Sequence, residues 1–163
     1  MADLLRIENL RAGYGEAVVL PDMSLRLPEG QVLALLGRNG TGKTTLINSI
    51  VGVTRRFGGT INLSGRDVTA MRPDQRARTG IGWVPQERNI FRSLTVEENM
   101  TAVAALPRDV TVLLIEHDMD LVFSFADRIS VMVNGALLVE GRPDEVARDP
   151  RVKAVYLGEA ADA

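Results

Sequence analysis

At 163 residues, 45% of them hydrophobic and 25% charged, the chain has the size and composition of a single globular domain. A net charge of -2 supplies no bulk basic field for nucleic acid, and with no cysteine there is neither a disulfide framework nor a thiolate metal site. One histidine argues against a histidine-built metal centre, and no apolar run approaches the ~20 residues that span a bilayer. The opening MADLLRIENL mixes acids, bases and apolar residues, unlike a signal peptide, so the expected setting is the cytosol or the cytosolic side of a membrane.

LLRIENLRAGY (residues 4–14) and AVVLPDMSLRL (17–27) alternate with the period of half-buried strands. Pro28, Glu29 and Gly30 make a turn before QVLALLG, which is apolar on both faces like a central parallel strand. GRNGTGKTTLINSIVG reads as a loop feeding a helix that closes at Gly52. GGTINLSGRDVTA is strand, turn, strand, and DQRARTG a short helix whose Arg72, Arg76 and Arg78 read as a solvated charged face. IGWVP (81–85) is a short strand. SLTVEENMTAVAAL carries helix-start signals in Ser93, Glu97 and Glu98. DVTVLLI is a buried strand and DMDLVFSFADR an amphipathic helix. ISVMVNGALLVEG is a hairpin whose Asn134-Gly135 suits a type I′ turn, and RPDEVARD a helix begun by Pro143. Strands alternating with helices predict an α/β fold with an antiparallel part from the N-terminal third.

Gly37 to Thr44, GRNGTGKT, fits G-x-x-x-x-G-K-[ST] between a strand and a helix, the setting a phosphate-binding loop requires. Gly37, Gly40 and Gly42 let the backbone curl so that successive N–H groups face inward. The helix opening at Lys43 aims its positive end at an anion. On this reading Lys43 neutralises the β- and γ-phosphates of ATP, and Thr44 offers its hydroxyl to Mg2+. The cofactor-binding stretch is Gly37, Arg38, Asn39, Gly40, Thr41, Gly42, Lys43, Thr44 and Thr45. Lys43 and Lys153 are the only lysines beside seventeen arginines, which makes the placement of Lys43 informative.

From these residues outward the chain resembles the ATP-binding subunits of ABC transporters. GRNGTGKTTL is shared with many phosphate-loop proteins, whereas GIGWVPQERNIFRSLTVEENM is more specific. The resemblance implies a single ABC-type ATP-binding domain over residues 1–163, with a P-loop NTPase core, a parallel sheet and an N-terminal antiparallel β part. It implies that Gln86 reaches the metal and the attacking water, so that Gln86 joins Thr44 as a metal residue. An amide suits this, since its carbonyl accepts or coordinates and its NH2 donates. It implies further that Tyr14 stacks on adenine and that His117, in LLIEHDMDL, is the switch histidine at the γ-phosphate, which makes Gln86 and His117 the catalytic pair. ADRISVMVNGALLVEGRPDEVARDPRVKAVYLGE looks like the C-terminal part of subunits serving branched-chain amino acid import. The N-terminal half looks like one of the two paired subunits of such importers, and the C-terminal half more like the other. The implied partners are transmembrane permease subunits and a second ATP-binding subunit, a paralogue, with no nucleic acid. The implied location is cytoplasmic, peripheral on the inner face of the plasma membrane.

Two parts of the family pattern are missing. One is the signature loop, Leu-Ser-Gly-Gly-Gln or similar. The near match LSGR, Leu63 to Arg66, falls between two short strands and reads as a turn. The other is the strand ending in Asp then Glu. VTVLLIEHD has Glu116 and His117 at those places and continues like the switch-histidine region, so it reads as the histidine strand. Only 31 positions separate Gln86 from His117. At ~11–12 residues per helix and ~5–6 per strand, that interval holds one helix, about Leu94 to Ala105, and one strand. The expectation is a domain shortened near residues 100–110 that lacks the helical signature subdomain. The acidic strand is then absent from its place between the IGWVP strand and the histidine strand, so that the sheet has a gap or those two strands pair directly. Such a subunit of a branched-chain amino acid importer binds nucleotide and hydrolyses it poorly or not at all. Two alternatives stay open: a non-catalytic regulatory nucleotide-binding module, and a decayed or artefactual fragment of such an ATPase.

Overall fold

Among the described residues, two four-stranded sheets organise the chain. The structure is a computed structural model and describes residues 2–82, 105–107, 109–116 and 119–157. Strands β1 (Asp3–Tyr14) and β2 (Ala17–Pro28) form a long antiparallel hairpin, Asp3 opposite Pro28 and Tyr14 opposite Ala17. β4 (Arg55–Leu63) pairs antiparallel with the other edge of β1, and the two-residue β5 (Arg66–Asp67) completes the order β2-β1-β4-β5. Ser64 and Gly65, at φ 51 and 77, turn β4 into β5, so LSGR is the turn its sequence predicts.

The second sheet has the order β6-β3-β7-β8. β3 (Val32–Leu36) lies between β6 (Val112–Ile115) and β7 (Arg128–Val133), parallel to both. β8 (Ala136–Gly141) returns antiparallel to β7 through Asn134 and Gly135, both left-handed at φ 51 and 77, as a type I′ turn demands. The parallel core is therefore closed by one antiparallel strand.

β3 is covered on both faces, which is why it reads as an unbroken apolar run. Leu33 and Leu35 join the cluster that fills the space between the sheets, with Leu10, Leu20 and Met23 from the first sheet and Leu46 from α1 (Lys43–Val51). Ala34 and Leu36 join the opposite cluster, with Val122 of α3 (Met119–Phe125), Val146 of α4 (Pro143–Arg148) and Val152 of α5 (Pro150–Leu157). The helix predicted over RPDEVARD is α4, begun by Pro143, and α5 follows it with Pro150 in its first turn. The Asp149 carboxylate caps the second by accepting from the Arg151 N–H at 2.8 Å.

The short helix predicted around Asp74 is α2 (Pro73–Ala77). Its arginines divide: Arg72 and Arg78 are exposed as expected, but Arg76 is buried, which corrects the reading of this segment as a uniformly solvated face. The reason is that main-chain carbonyls of α1 and of the preceding turn satisfy its guanidinium. Of IGWVP, Ile81 and Gly82 are described and are not in a strand; the rest lies outside the described residues, as does the helix predicted at about Leu94 to Ala105 except for Ala105, which is in a turn.

Candidate nucleotide site

The ends of β3 and β6 and the start of α1 converge on one rim. β3 delivers Leu36 to the loop at residues 37–42, and α1 begins at Lys43. Gly42 caps the helix in the left-handed conformation, φ 101 and ψ 9, and has no side chain with which to satisfy the first N–H groups. No acidic residue lies in the first turn. The helix start thus offers main-chain donors and the positive end of the dipole, the two features that favour an anion. Gly40 is also left-handed, at φ 83, and a Cβ there would meet nothing within 4 Å, so the loop's outer side is open.

Lys43 is buried, and its ammonium reaches back across the loop to the carbonyls of Gly37 at 2.5 Å and Arg38 at 2.8 Å. Burial holds its pKa below the usual lysine range. The Thr41 hydroxyl donates to the same Arg38 carbonyl at 2.8 Å, which tightens the 38–41 turn. Thr44 is exposed, whereas Thr45 faces the core beside Leu46. Arg38 and Asn39 are exposed and Gly37 is buried; a Cβ at Gly37 would come within 2.9 Å of the Met132 carbonyl oxygen. All nine residues from Gly37 to Thr45 therefore lie on one continuous loop and helix start.

Tyr14 ends β1 at the side of α1, 45% exposed, and its hydroxyl accepts from Asn48 Nδ2 at 2.9 Å. The aromatic is thereby fixed to the helix that carries Lys43. Asn48 was not among the residues singled out from sequence; its place one turn beyond Thr44, on the half-buried flank of α1, is the signal that could have found it.

β6 settles beside β3, Leu35 opposite Ile115, so that Glu116 arrives level with Leu36. Glu116 lines a cavity of about 390 Å3 with Leu36, Gly37, Arg38, Asn39, Met119 and Tyr156. Burial pushes the Tyr156 hydroxyl above the usual phenol range, and the Arg38 guanidinium draws it partly back. Among the described residues no group of three or more His, Asp or Glu is placed to hold a metal ion, so a metal here depends on the Thr44 hydroxyl and on the phosphates it accompanies. Gln86 and His117, the two candidate catalytic residues, lie outside the described residues.

A family model described as "ABC transporter" matches residues 20–151. The lipopolysaccharide export system ATP-binding protein LptB of Haemophilus influenzae is 42% identical over 108 residues, 66% of this chain and 45% of that protein. A probable branched-chain amino acid transport ATP-binding protein, LivF of Archaeoglobus fulgidus, is 39% identical over 101 residues, 62% of this chain and 43% of its own length. In both matches the chain spans less than half of the relative. LptB of Acidithiobacillus ferridurans is 26% identical over 237 residues, covering 98% of each chain. Among solved structures, an ATP-binding cassette of an ABC transporter in its ADP conformation superposes with a TM-score of 0.75 at 20% identity, over 97% of this chain and 100% of that one. A nucleotide-free cassette gives 0.74 at 23% identity, over 95% and 99%. These likenesses establish the α/β fold of the ATP-binding cassettes.

Proposed function

We infer the role of this chain from its kinship, since it belongs to the ABC transporter family: it is an ATP-binding subunit that holds Mg-ATP at Gly37–Thr45 and hydrolyses it poorly or not at all. The single observation that carries the reading is the helix start of α1, where first-turn N–H groups with no side-chain cap, the buried Lys43 and the exposed Thr44 share one open loop. These residues fit a polyphosphate: among the described residues the Lys43 ammonium donates to neutral main-chain carbonyls, which leave its charge unbalanced, and Thr44 has a hydroxyl of the kind that accompanies a phosphate-bound metal. When bound, the nucleotide supplies a phosphoryl group whose transfer depends on positioning and charge neutralisation.

Poor hydrolysis rests on what the chain lacks. No apolar run in the sequence ends in Asp then Glu. The strand beside β3 ends at Ile115, and the sequence continues with Glu116 and His117 rather than Asp then Glu, which supports reading it as the histidine strand. β6 is the outer strand of its sheet among the described residues, and its four apolar residues are all only half-buried, unlike those of β3. An internal shortening is also supported by the Acidithiobacillus relative, whose 237-residue match covers nearly all of both chains while this one has 163 residues. The excess positions stand opposite gaps.

The chain works with transmembrane permease subunits and a second ATP-binding subunit, as a peripheral component on the inner face of the membrane. No described helix is long and apolar enough to cross a bilayer itself. The cargo we infer is branched-chain amino acids, from the C-terminal stretch and the likeness to LivF. Lipopolysaccharide export is the second reading, favoured by the 42% identity to LptB. Co-expression with permease subunits of each kind separates the two by which of them retains the chain.

The central test is binding of a fluorescent ATP analogue, mant-ATP, and phosphate release, each against Lys43→Ala. Saturable Mg-dependent binding that the variant loses, with phosphate release no faster than in the variant, is the expected result. Sustained turnover abolished by Lys43→Ala overturns the hydrolysis reading, and absence of saturable binding overturns the whole.

A further inference from the structure

The helix that presents Lys43 is held at its far end by a side chain from another element. Arg76, on α2, is 5% exposed. Its Nη1 donates to the carbonyls of Ser49 and Ile50 at 2.7 and 3.1 Å. Nη2 donates to the Thr69 carbonyl at 2.9 Å, and Nε to that of Met71 at 3.0 Å. Ser49 and Ile50 form the last turn of α1, where carbonyls have no intrahelical partner and the dipole is negative. Gly52, which closes α1 at φ 94, leaves room for the guanidinium: a Cβ there would stand 3.0 Å from Nε.

This is a costly way to cap a helix. Burial holds the Arg76 pKa below the usual range, Arg56 adds to the effect, and Asp67 offsets part of it. Every hydrogen bond of the guanidinium among the described residues goes to a main-chain carbonyl. A glycine cap alone satisfies helix ends without taking a charge out of water. What the arginine adds is a rigid fork that joins α1 to the 69–71 turn at a fixed distance and angle.

We propose that Arg76 is a positioning residue for nucleotide binding, clamping the C-terminal turn of α1 so that its N-terminal turn presents Lys43 and Thr44 to the phosphates in register. The inference rests on the reading of Gly37–Thr45 as a nucleotide site. α1 has nine residues and is hydrogen-bonded throughout, so displacement at Ser49 is carried to Lys43 rather than absorbed between them.

The test compares the full chain with Arg76→Lys and Arg76→Met, well below the unfolding transition of each, by urea titration, circular dichroism and mant-ATP binding. A purely structural residue shifts the urea midpoint and leaves the Kd of the folded protein unchanged. The clamp predicts that Arg76→Met, while folded, raises the Kd for mant-ATP roughly tenfold, the effect of one or two lost charge-assisted hydrogen bonds. Arg76→Lys restores part of it. Folded variants with the wild-type Kd overturn the proposal. Should Arg76→Met fail to fold, the wild-type chain still decides: linkage is reciprocal, so Mg-ATP must slow hydrogen exchange at the Arg76 Nε–H, and unchanged exchange overturns the clamp. A wild-type chain that does not bind mant-ATP overturns the nucleotide reading itself, a result distinct from normal binding that is indifferent to Arg76.

Discussion

The main-chain N–H of Gly135 donates to the main-chain carbonyl of Thr41 at 2.9 Å, tying the β7–β8 turn to the phosphate loop. The contact is tight on every side. A Cβ at Gly42 would lie 3.5 Å from the Gly135 Cα and 3.0 Å from Leu20 Cδ2. A Cβ at Gly135 would lie 2.1 Å from the Val19 carbonyl oxygen. The loop is therefore braced from outside by a hairpin tip wedged between it and β2.

Gly135→Ala meets both a left-handed φ of 77 and that carbonyl, so it forces the turn away from β2. The expected loss of stability is about 2 kcal/mol or more in a urea titration. Weaker mant-ATP binding accompanies it, because Thr41 loses its outside support. Asn134→Gly, where φ is already 51, leaves stability within about 1 kcal/mol and serves as the control.

Tyr14 and Asn48 test whether the aromatic at the end of β1 is fixed by α1. Tyr14→Phe keeps the ring and removes the acceptor of the 2.9 Å hydrogen bond. A double-mutant cycle with Asn48→Ala yields a coupling of about 0.5–1 kcal/mol in stability, and a coupling of zero refutes the link. Nucleotide affinity is expected to change little in Tyr14→Phe and to fall several-fold (on the order of 1 kcal/mol) in Tyr14→Ala, if the ring meets the base.

Lys43, the residue proposed to meet the phosphates, has its charged form disfavoured by burial in the fold around it. Its pKa is lowered by burial from 10.5, so the charged form is disfavoured in the folded chain relative to the unfolded one. Below the lowered value the penalty is fully present. Between that value and 10.5 the unfolded chain binds more protons, and stability rises with pH. Lys43→Met is therefore expected to unfold later than wild type at neutral pH without nucleotide, with the gap narrowing as pH approaches 10.5. The same variant loses the ATP-induced rise in Tm. A gap that widens with pH refutes the assignment.

Glu140 joins β8 to β7 through side chains. Its carboxylate accepts from Arg128 Nη2 at 2.5 Å and from the hydroxyl of Ser130, which is fully buried, at 2.8 Å. Glu140→Ala strands the Ser130 hydroxyl without this acceptor and is expected to cost about 1–3 kcal/mol in urea. Combining it with Ser130→Ala recovers part of that loss, since no buried hydroxyl is then left behind.

Features that depend on a few consecutive residues are legible without the fold. The loop from Gly37 to Thr45, the turns at Ser64-Gly65 and Asn134-Gly135, and the close of α1 at Gly52 are all set by local backbone chemistry, chiefly which residue tolerates a positive φ. The strands of the first sheet were legible because one face meets the core, which imposes a period of two. Contacts between distant segments come from the folded chain. It set β6 against β3, bringing Glu116 level with Leu36, because a parallel ladder is made between strands that no turn connects. It put Tyr156 on the rim of the cavity beside Arg38 and Asn39. It drew Arg76 out of a segment that reads as solvated and into the core, where the carbonyls of Ser49, Ile50, Thr69 and Met71 converge. An arginine's charge reads the same in either place, and only the acceptors that the fold assembles around it make the interior tolerable.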